Sequence, residues 1–305
     1  MTQHPHPSRP DLHREITEQI LIQLETDVPP WVRPWRADTS AGALPYNLAT
    51  GRRYSGINIL LLWMAGARQG FAAGGFLTFR QAQGMGGRVR RGEHGCRIVF
   101  AERVVLAAER IRAAEEGRDP VVTPILKPFT VFNMEQCEGL PLQLDGHMAS
   151  ETSASGTDVD AIVLATGALL QVGGPDACYN PAEDRLQMPL KAAFADPLDW
   201  TRTLLHELIH WTGHGSRLNR DQRGEFGSAS YAREELVAEL GAAFACAELG
   251  IPSTLRHAAY LNVWRKVLRD DVRAIARAAT AASKAAAFLL AFRPNPSSIE
   301  VEYAA

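Results

Sequence analysis

The chain has 305 residues, 46% of them hydrophobic and 22% charged, with a net charge of -2. This composition excludes a disordered chain, and no apolar run approaches the ~18 residues of a membrane span, so one large or two ordinary globular domains and no membrane partner are expected. Cys96, Cys137, Cys178 and Cys246 are far apart and residues 1–10 lack a signal-peptide core, which argues against a disulfide framework and for a reducing, cytoplasmic location.

In chain order, an amphipathic helix is predicted over 11–26, with Ile16, Ile20, Leu21 and Leu24 on one face and Asp11 as its cap. Pro29-Pro30-Trp31-Val32-Arg33-Pro34-Trp35-Arg36 is held extended by its prolines. Helices follow over 58–68 and 78–85, and strands over 97–106 and 129–132, with 109–116 as an exposed charged connection. Between Trp31 and Phe100, ten arginines face two acids, Asp38 and Glu93. Such an asymmetry points to a polyanion, although charge alone equally fits a basic face without a ligand. Single-stranded DNA needs a cationic track and aromatic faces for its bases. Interleaving of both types marks Trp31, Arg33, Trp35, Arg36, Arg52, Arg53, Tyr54, Arg88, Arg90 and Arg91 as candidate contacts, with Phe79 and Arg80 in the same pattern. Trp31 and Trp35 are the preferred stacking platform, because their prolines deny them a helical core position.

Residues 146–157 are small and polar and have the composition of a linker, which divides the chain into domains at 10–145 and 158–295. The second domain opens with a helix predicted over 159–170. A hairpin follows, with strands 177–179 and 186–188, and then helices over 199–213, 231–249, 254–269 and 271–292. Strand 186–188 is either a sheet edge for an extended peptide or an ordinary internal strand.

The segment His206-Glu207-Leu208-Ile209-His210 lies in the first of these long helices. Residues four apart share a helix face, so both imidazoles can grip one metal ion with the Glu207 carboxylate beside it. Catalytic zinc takes three protein ligands and keeps one position open. His214 follows too soon on the same helix to make a good third corner. Glu235 and Glu239, four apart on the next long helix, make the better pair. Glu235 is assigned as the third ligand and Glu239 as the acid that orients a ligand imidazole. Glu234 is assigned to a solvated face. For a peptidase reaction Glu207 is the general base, and Tyr260, His257 and His214 are alternative donors to a developing oxyanion.

His-Glu-x-x-His with Glu-x-x-Ala-Glu downstream resembles the gluzincin metallopeptidases. More closely, His206 to His214, Arg217-Leu-Asn-Arg220 and Tyr231 to Glu239 resemble the metallopeptidase domain of ArdC-type antirestriction proteins. Tyr46 to Asn58, Phe76 to Ala82 and Val131 to Pro141 are similar to that family's single-stranded-DNA-binding domain. The resemblance implies a plasmid-borne protein that protects incoming DNA from restriction during conjugation. The expected fold is α+β, a mixed N-terminal DNA-binding domain joined to a mostly helical zincin-like domain with a small sheet. Expected partners are one zinc ion, single-stranded DNA, and a protein substrate in the restriction machinery or on DNA. The competing expectation is a non-enzymatic single-stranded-DNA-binding shield whose zinc site is structural or vestigial.

Overall fold

Asp11 accepts a hydrogen bond from the His13 backbone and opens α1 (Leu12–Glu25), which buries Ile16, Ile20 and Leu24. The structure, a computed structural model, describes residues 11–26, 29–32, 43–141, 156–225, 227–252 and 260–294. The expected linker falls outside this range except for residues 156 and 157, as do both tails. After β1 (Tyr46–Asn47) comes α2 (Ile57–Gln69), buried continuously from Ile57 to Ala65. A helix apolar on every side belongs inside a core. β2 (Gly75–Leu77) leads into α3 (Phe79–Gly84), which starts with a reciprocal Thr78–Gln81 capping box. Then come β3 (Arg88–Val89), β4 (Cys96–Val104), α4 (Ala107–Glu116), β5 (Thr123–Asn133) and β6 (Cys137–Glu138). One sheet runs β1-β2-β5-β4, and β3 pairs with β6 in a separate ribbon.

Two elements of the N-terminal half differ from expectation. The charged connection is helix α4, because Ala, Arg and Glu are strong helix formers, and Gly117 ends it in the left-handed region. β5 runs well beyond 129–132 despite Pro124 and Pro128. It pairs with β4 from Thr123 to Val131 and with β2 at Phe132 and Asn133, so among the described residues its prolines lie where no strand pairs its other edge.

The C-terminal part holds α5 (Gly156–Thr166), β7 (Leu169–Val172), β8 (Cys178–Asn180), β9 (Arg185–Met188), α6 (Pro197–Thr212), α7 (Ala229–Glu248), α8 (Leu261–Asp270) and α9 (Ala274–Leu290). The helix expected over 159–170 stops early because Gly167 turns left-handed, and the chain beyond becomes β7. The hairpin is present, but its sheet order is β7-β9-β8. Residues 186–188 therefore lie in the central strand and offer no edge; β8 does. α8 begins at Leu261, and residues 253–259 lie outside the described range.

One hydrophobic cluster joins Ile16, Ile20 and Leu24 of α1 and Ile57, Leu60, Leu61, Trp63 and Met64 of α2 to the buried faces of α6, α7, α8 and α9. Polar contacts cross the same boundary. The Thr17 hydroxyl donates to the Val272 carbonyl at 2.7 Å, Gly56 donates its N–H to Ser283 Oγ at 2.7 Å, and Arg53 pairs with Glu248 at 3.3 Å. Two smaller cores, around Phe76 and Ile98 and around Leu77 and Ala82, serve the N-terminal sheet and ribbon. The architecture is α+β with a mostly helical C-terminal half. No helix among the described residues is long and apolar enough to cross a membrane.

Candidate metal centre and nucleic-acid face

Asp196 caps α6 and Pro197 occupies its first turn, which leaves the His-Glu-x-x-His segment two turns further in, on the buried face. α7 approaches α6 closely at Gly241, where a Cβ would stand 2.8 Å from Ile209 Cγ2. The crossing brings His206, His210 and Glu235 together, each offering a ligand atom within 4.8 Å of the others. Glu235 stands 3.6 Å from His206 Nε2 and 3.4 Å from His210 Nε2. The other nitrogen of each ring has its own acid. His206 Nδ1 is 3.7 Å from Glu239, and His210 Nδ1 is 3.2 Å from Glu234. A carboxylate behind each imidazole fixes which nitrogen faces the centre.

The assignment of Glu234 to a solvated face is therefore wrong, and the reason lies in the turn after α6. Arg220 reaches back so that its Nη2 bonds both Glu234 at 2.7 Å and the Ile209 carbonyl at 2.6 Å, while its Nη1 bonds Thr212 Oγ1 at 2.8 Å. Gln222 donates to the His210 carbonyl at 2.7 Å. Gly213 leaves the room, since a Cβ there would meet Gln222 at 2.7 Å and Arg220 at 2.8 Å. His214 is directed elsewhere. Its Nδ1 is 2.8 Å from Ser216 Oγ, in a corner where Arg217 clamps Asp184 and covers the Trp211 ring.

His206, His210, Glu234, Glu235 and Gln222 line a cleft of about 350 Å³ whose wall also includes Glu207, Cys178 of edge strand β8, Tyr231 and Tyr260. The Tyr231 and Tyr260 hydroxyls are 3.5 Å apart. Burial, together with bonds to Tyr260 and Glu235, keeps the Tyr231 hydroxyl protonated. Of the expected oxyanion donors, only Tyr260 lines this cleft; His257 lies outside the described residues. Tyr231 was missed by sequence reasoning, although it sits four residues before Glu235 on the same helix face.

Glu207, Glu234, Glu235 and Glu239 are all buried here, and among the described residues the Arg220 guanidinium pairs with Glu234. Such a concentration of buried negative charge needs protons or a cation. Burial alone would lower the His210 pKa, but Glu234 and Glu235 beside the ring and the charge of Glu207 outweigh it and raise it from 6.5 to about 10. Burial tends to raise the Glu235 pKa, and the two histidines reverse this and hold it below the usual carboxylate range. The signs follow from linkage. The raised His210 value stabilises the metal-free fold below pH 6.5, and this contribution disappears as pH rises through about 10. The Glu235 contribution is present above pH 4.5 and is lost as pH falls. Thermal melting with chelator present should thus show the metal-free protein losing stability from pH 6.5 towards 10. A melting temperature flat over that interval would contradict the imidazolium–carboxylate pairing.

The basic segment is only partly as expected. Arg33, Trp35 and Arg36 lie outside the described residues. Trp31 is not a stacking platform: it is 1% exposed, and its ring meets Trp264 edge-on at 5.7 Å. Proline bars a helix at this point, but it does not bar packing against α8. Tyr54 is also buried, its hydroxyl accepting from Asn47 within the core under β2. Arg53 is committed to the Leu44 carbonyl and Glu248. Arg52, Arg88, Arg90 and Arg91 are exposed, Arg88 pairing with Glu138 and Arg90 with Glu93. Phe79, 49% exposed at the start of α3, is an aromatic that this face leaves open.

Residues 10–132 match the family model of the N-terminal domain of anti-restriction factor ArdC, and residues 157–281 match that of a zincin-like metallopeptidase. The uncharacterized protein y4eC of Sinorhizobium fredii is 36% identical over 299 residues, covering 97% of this chain and 96% of the relative. DNA primase TraC of Escherichia coli is 37% identical over 296 residues, 92% of this chain but 27% of the primase. Two crystal structures of antirestriction ArdC from the R388 plasmid superpose over 93% of this chain. The metal-free form has 37% identity and a TM-score of 0.78, and the Mn(II)-bound form has 38% and 0.76. With the solved relative matched over 93% of this chain and 98% of its own length at 37% identity, the chain belongs to the ArdC family of antirestriction proteins.

Proposed function

We propose that the N-terminal half binds single-stranded DNA and that His206, His210 and Glu235 hold one zinc ion in a peptidase-type centre, the whole protecting incoming DNA from restriction during conjugation. The observation that carries the metal reading is the convergence of two Nε2 atoms and one carboxylate, each imidazole backed by its own acid, on an open cleft. Two histidines, one glutamate and an open position is a donor set of catalytic zinc, and the Mn(II) form of the solved relative supports a divalent ion. Bound there, the ion supplies Lewis-acid polarisation of a carbonyl and acidifies water near neutral pH.

The protein's own groups do the rest. Glu207 takes the proton of the attacking water and delivers it to the leaving nitrogen. Glu239 and Glu234 hold the imidazoles in one tautomer. Tyr260, in the cleft wall, donates to the developing oxyanion, and edge strand β8 takes up an extended peptide from the restriction machinery or from a DNA-bound protein. DNA contact falls to Arg52, Arg88, Arg90 and Arg91 with Phe79 and Arg80, in place of Trp31 and Tyr54. The work would be done in the cytoplasm, with 10–145 and 158–295 as the two functional halves.

Glu207→Gln is the test. It should keep metal content, measured by elemental analysis, and lower cleavage about 10²–10⁴-fold, the usual share of a general base. If antirestriction survives this change undiminished, the protein is instead a DNA-binding shield in which the metal holds the fold.

A further inference from the structure

The N-terminal half contains a second cleft, larger than the one at the metal centre, of about 390 Å³. It lies between α1, α2 and the start of β4, with Ile16, Leu61 and Ala65 as an apolar floor. Arg68, Arg97 and His94 stand around it against a single acid, Glu15. Its volume lies within the roughly 300–1,000 Å³ of small-molecule sites. An apolar slot with amide and guanidinium groups at its edge suits a flat heterocycle attached to a phosphate.

The surroundings favour a nucleotide held within a strand. Gly95 is pressed onto β5, where a Cβ would stand 2.5 Å from Thr130 Cγ2 and 2.8 Å from the Val131 carbonyl. The tight packing fixes the backbone between His94 and Cys96, both of which line the cleft. Exposed Arg90 and Arg91 lie a few residues upstream of His94, on the chain that enters the cleft wall. Across that mouth Arg97 pairs with Glu15 at 2.8 Å, both partly solvent-exposed. A surface pair of this kind is weak, and a phosphate can take the place of the Glu15 carboxylate.

We propose that this cleft seats one nucleotide of a bound single strand, its base on the floor formed by Ile16, Leu61 and Ala65 and its phosphate between Arg68 and Arg97. The inference rests on the reading that the N-terminal half binds single-stranded DNA, and it names the place where a base enters the protein.

Fluorescence anisotropy of the full chain with a labelled oligothymidylate, and with an abasic strand of equal length and charge, tests it. Wild type should bind the base-bearing strand at least about fivefold more tightly, the lower end of what one stacked base contributes. Arg68→Gln and Arg97→Gln should each weaken binding and lower the salt slope by about 0.7, the loss of one phosphate contact. Glu15→Gln, which releases Arg97, should tighten binding by up to about fivefold. Gln19→Trp, which fills the cleft from its rim, should abolish the preference for bases. Lys284→Gln, exposed on α9, is the control and should change nothing. Because these positions are at the surface or rim, an unchanged melting temperature checks the fold. If the cleft variants bind like wild type while Arg88→Gln and Arg91→Gln weaken binding, the cleft assignment is overturned and the DNA reading stands. If wild type binds neither strand at low salt, the DNA reading itself fails, and the cleft assignment with it.

Discussion

Replacing Arg220 with methionine is expected to destabilise the protein by about 3–5 kcal/mol, the usual cost of removing one partner from a buried ion pair. Arg220 and Glu234 are 11% and 9% exposed, so little water can replace the lost guanidinium. The change also strips partners from the Ile209 carbonyl and the Thr212 hydroxyl, at the end of the helix that carries both histidines. Most of the cost is the charge left on Glu234. A double variant, Arg220→Met with Glu234→Met, should therefore recover much of it, and a double-mutant cycle by chemical denaturation measures the coupling. Strictly additive single losses would show that the pair does not hold the turn to α7.

The second large effect concerns the metal. Outer acids behind ligand histidines typically contribute 10–100-fold to affinity, so Glu239→Gln and Glu234→Gln should each weaken divalent-metal binding by about that factor. Glu235→Gln removes a ligand and should exceed about 100-fold, the upper end of the outer-acid range. Competition titration with a chromogenic chelator orders the three variants. Equal effects for Glu235 and Glu239 would place the third ligand elsewhere. Glu234→Gln is the most informative of the set, because that residue touches both His210 and Arg220.

The part of the centre that was legible in the sequence is the part governed by a single helix period. His206 and His210 share a face because they are four apart, and Glu235 and Glu239 do so for the same reason. Glu234 was not legible. It lies about 100° around α7 from Glu235, and its burial depends on a third element, the Arg217-Leu218-Asn219-Arg220 turn folding back. The available signal was an arginine placed between two helices that each carry acids at the site. Trp31 shows the converse error. Local proline chemistry correctly ruled out a helix, but it says nothing of a distant surface, and α8 supplies one more than two hundred residues later. β7 was lost for a similar reason: its pattern continues that of α5, and only Gly167 marks the break.

The core that joins α1 and α2 to α6, α7, α8 and α9 also bears on how such chains can be recombined. Though two family models match separate stretches, the halves are not interchangeable cassettes. Ile20, Leu24 and Trp31 are shaped to one particular partner surface, so grafting an N-terminal half from a relative 36% identical would leave mismatched volumes in the interior. Such a chimera is expected to need compensating changes on α8 and α9, checked by its melting temperature. By the same logic, a proteolytic nick within residues 142–155 should leave both fragments in one particle, eluting together on gel filtration under native conditions.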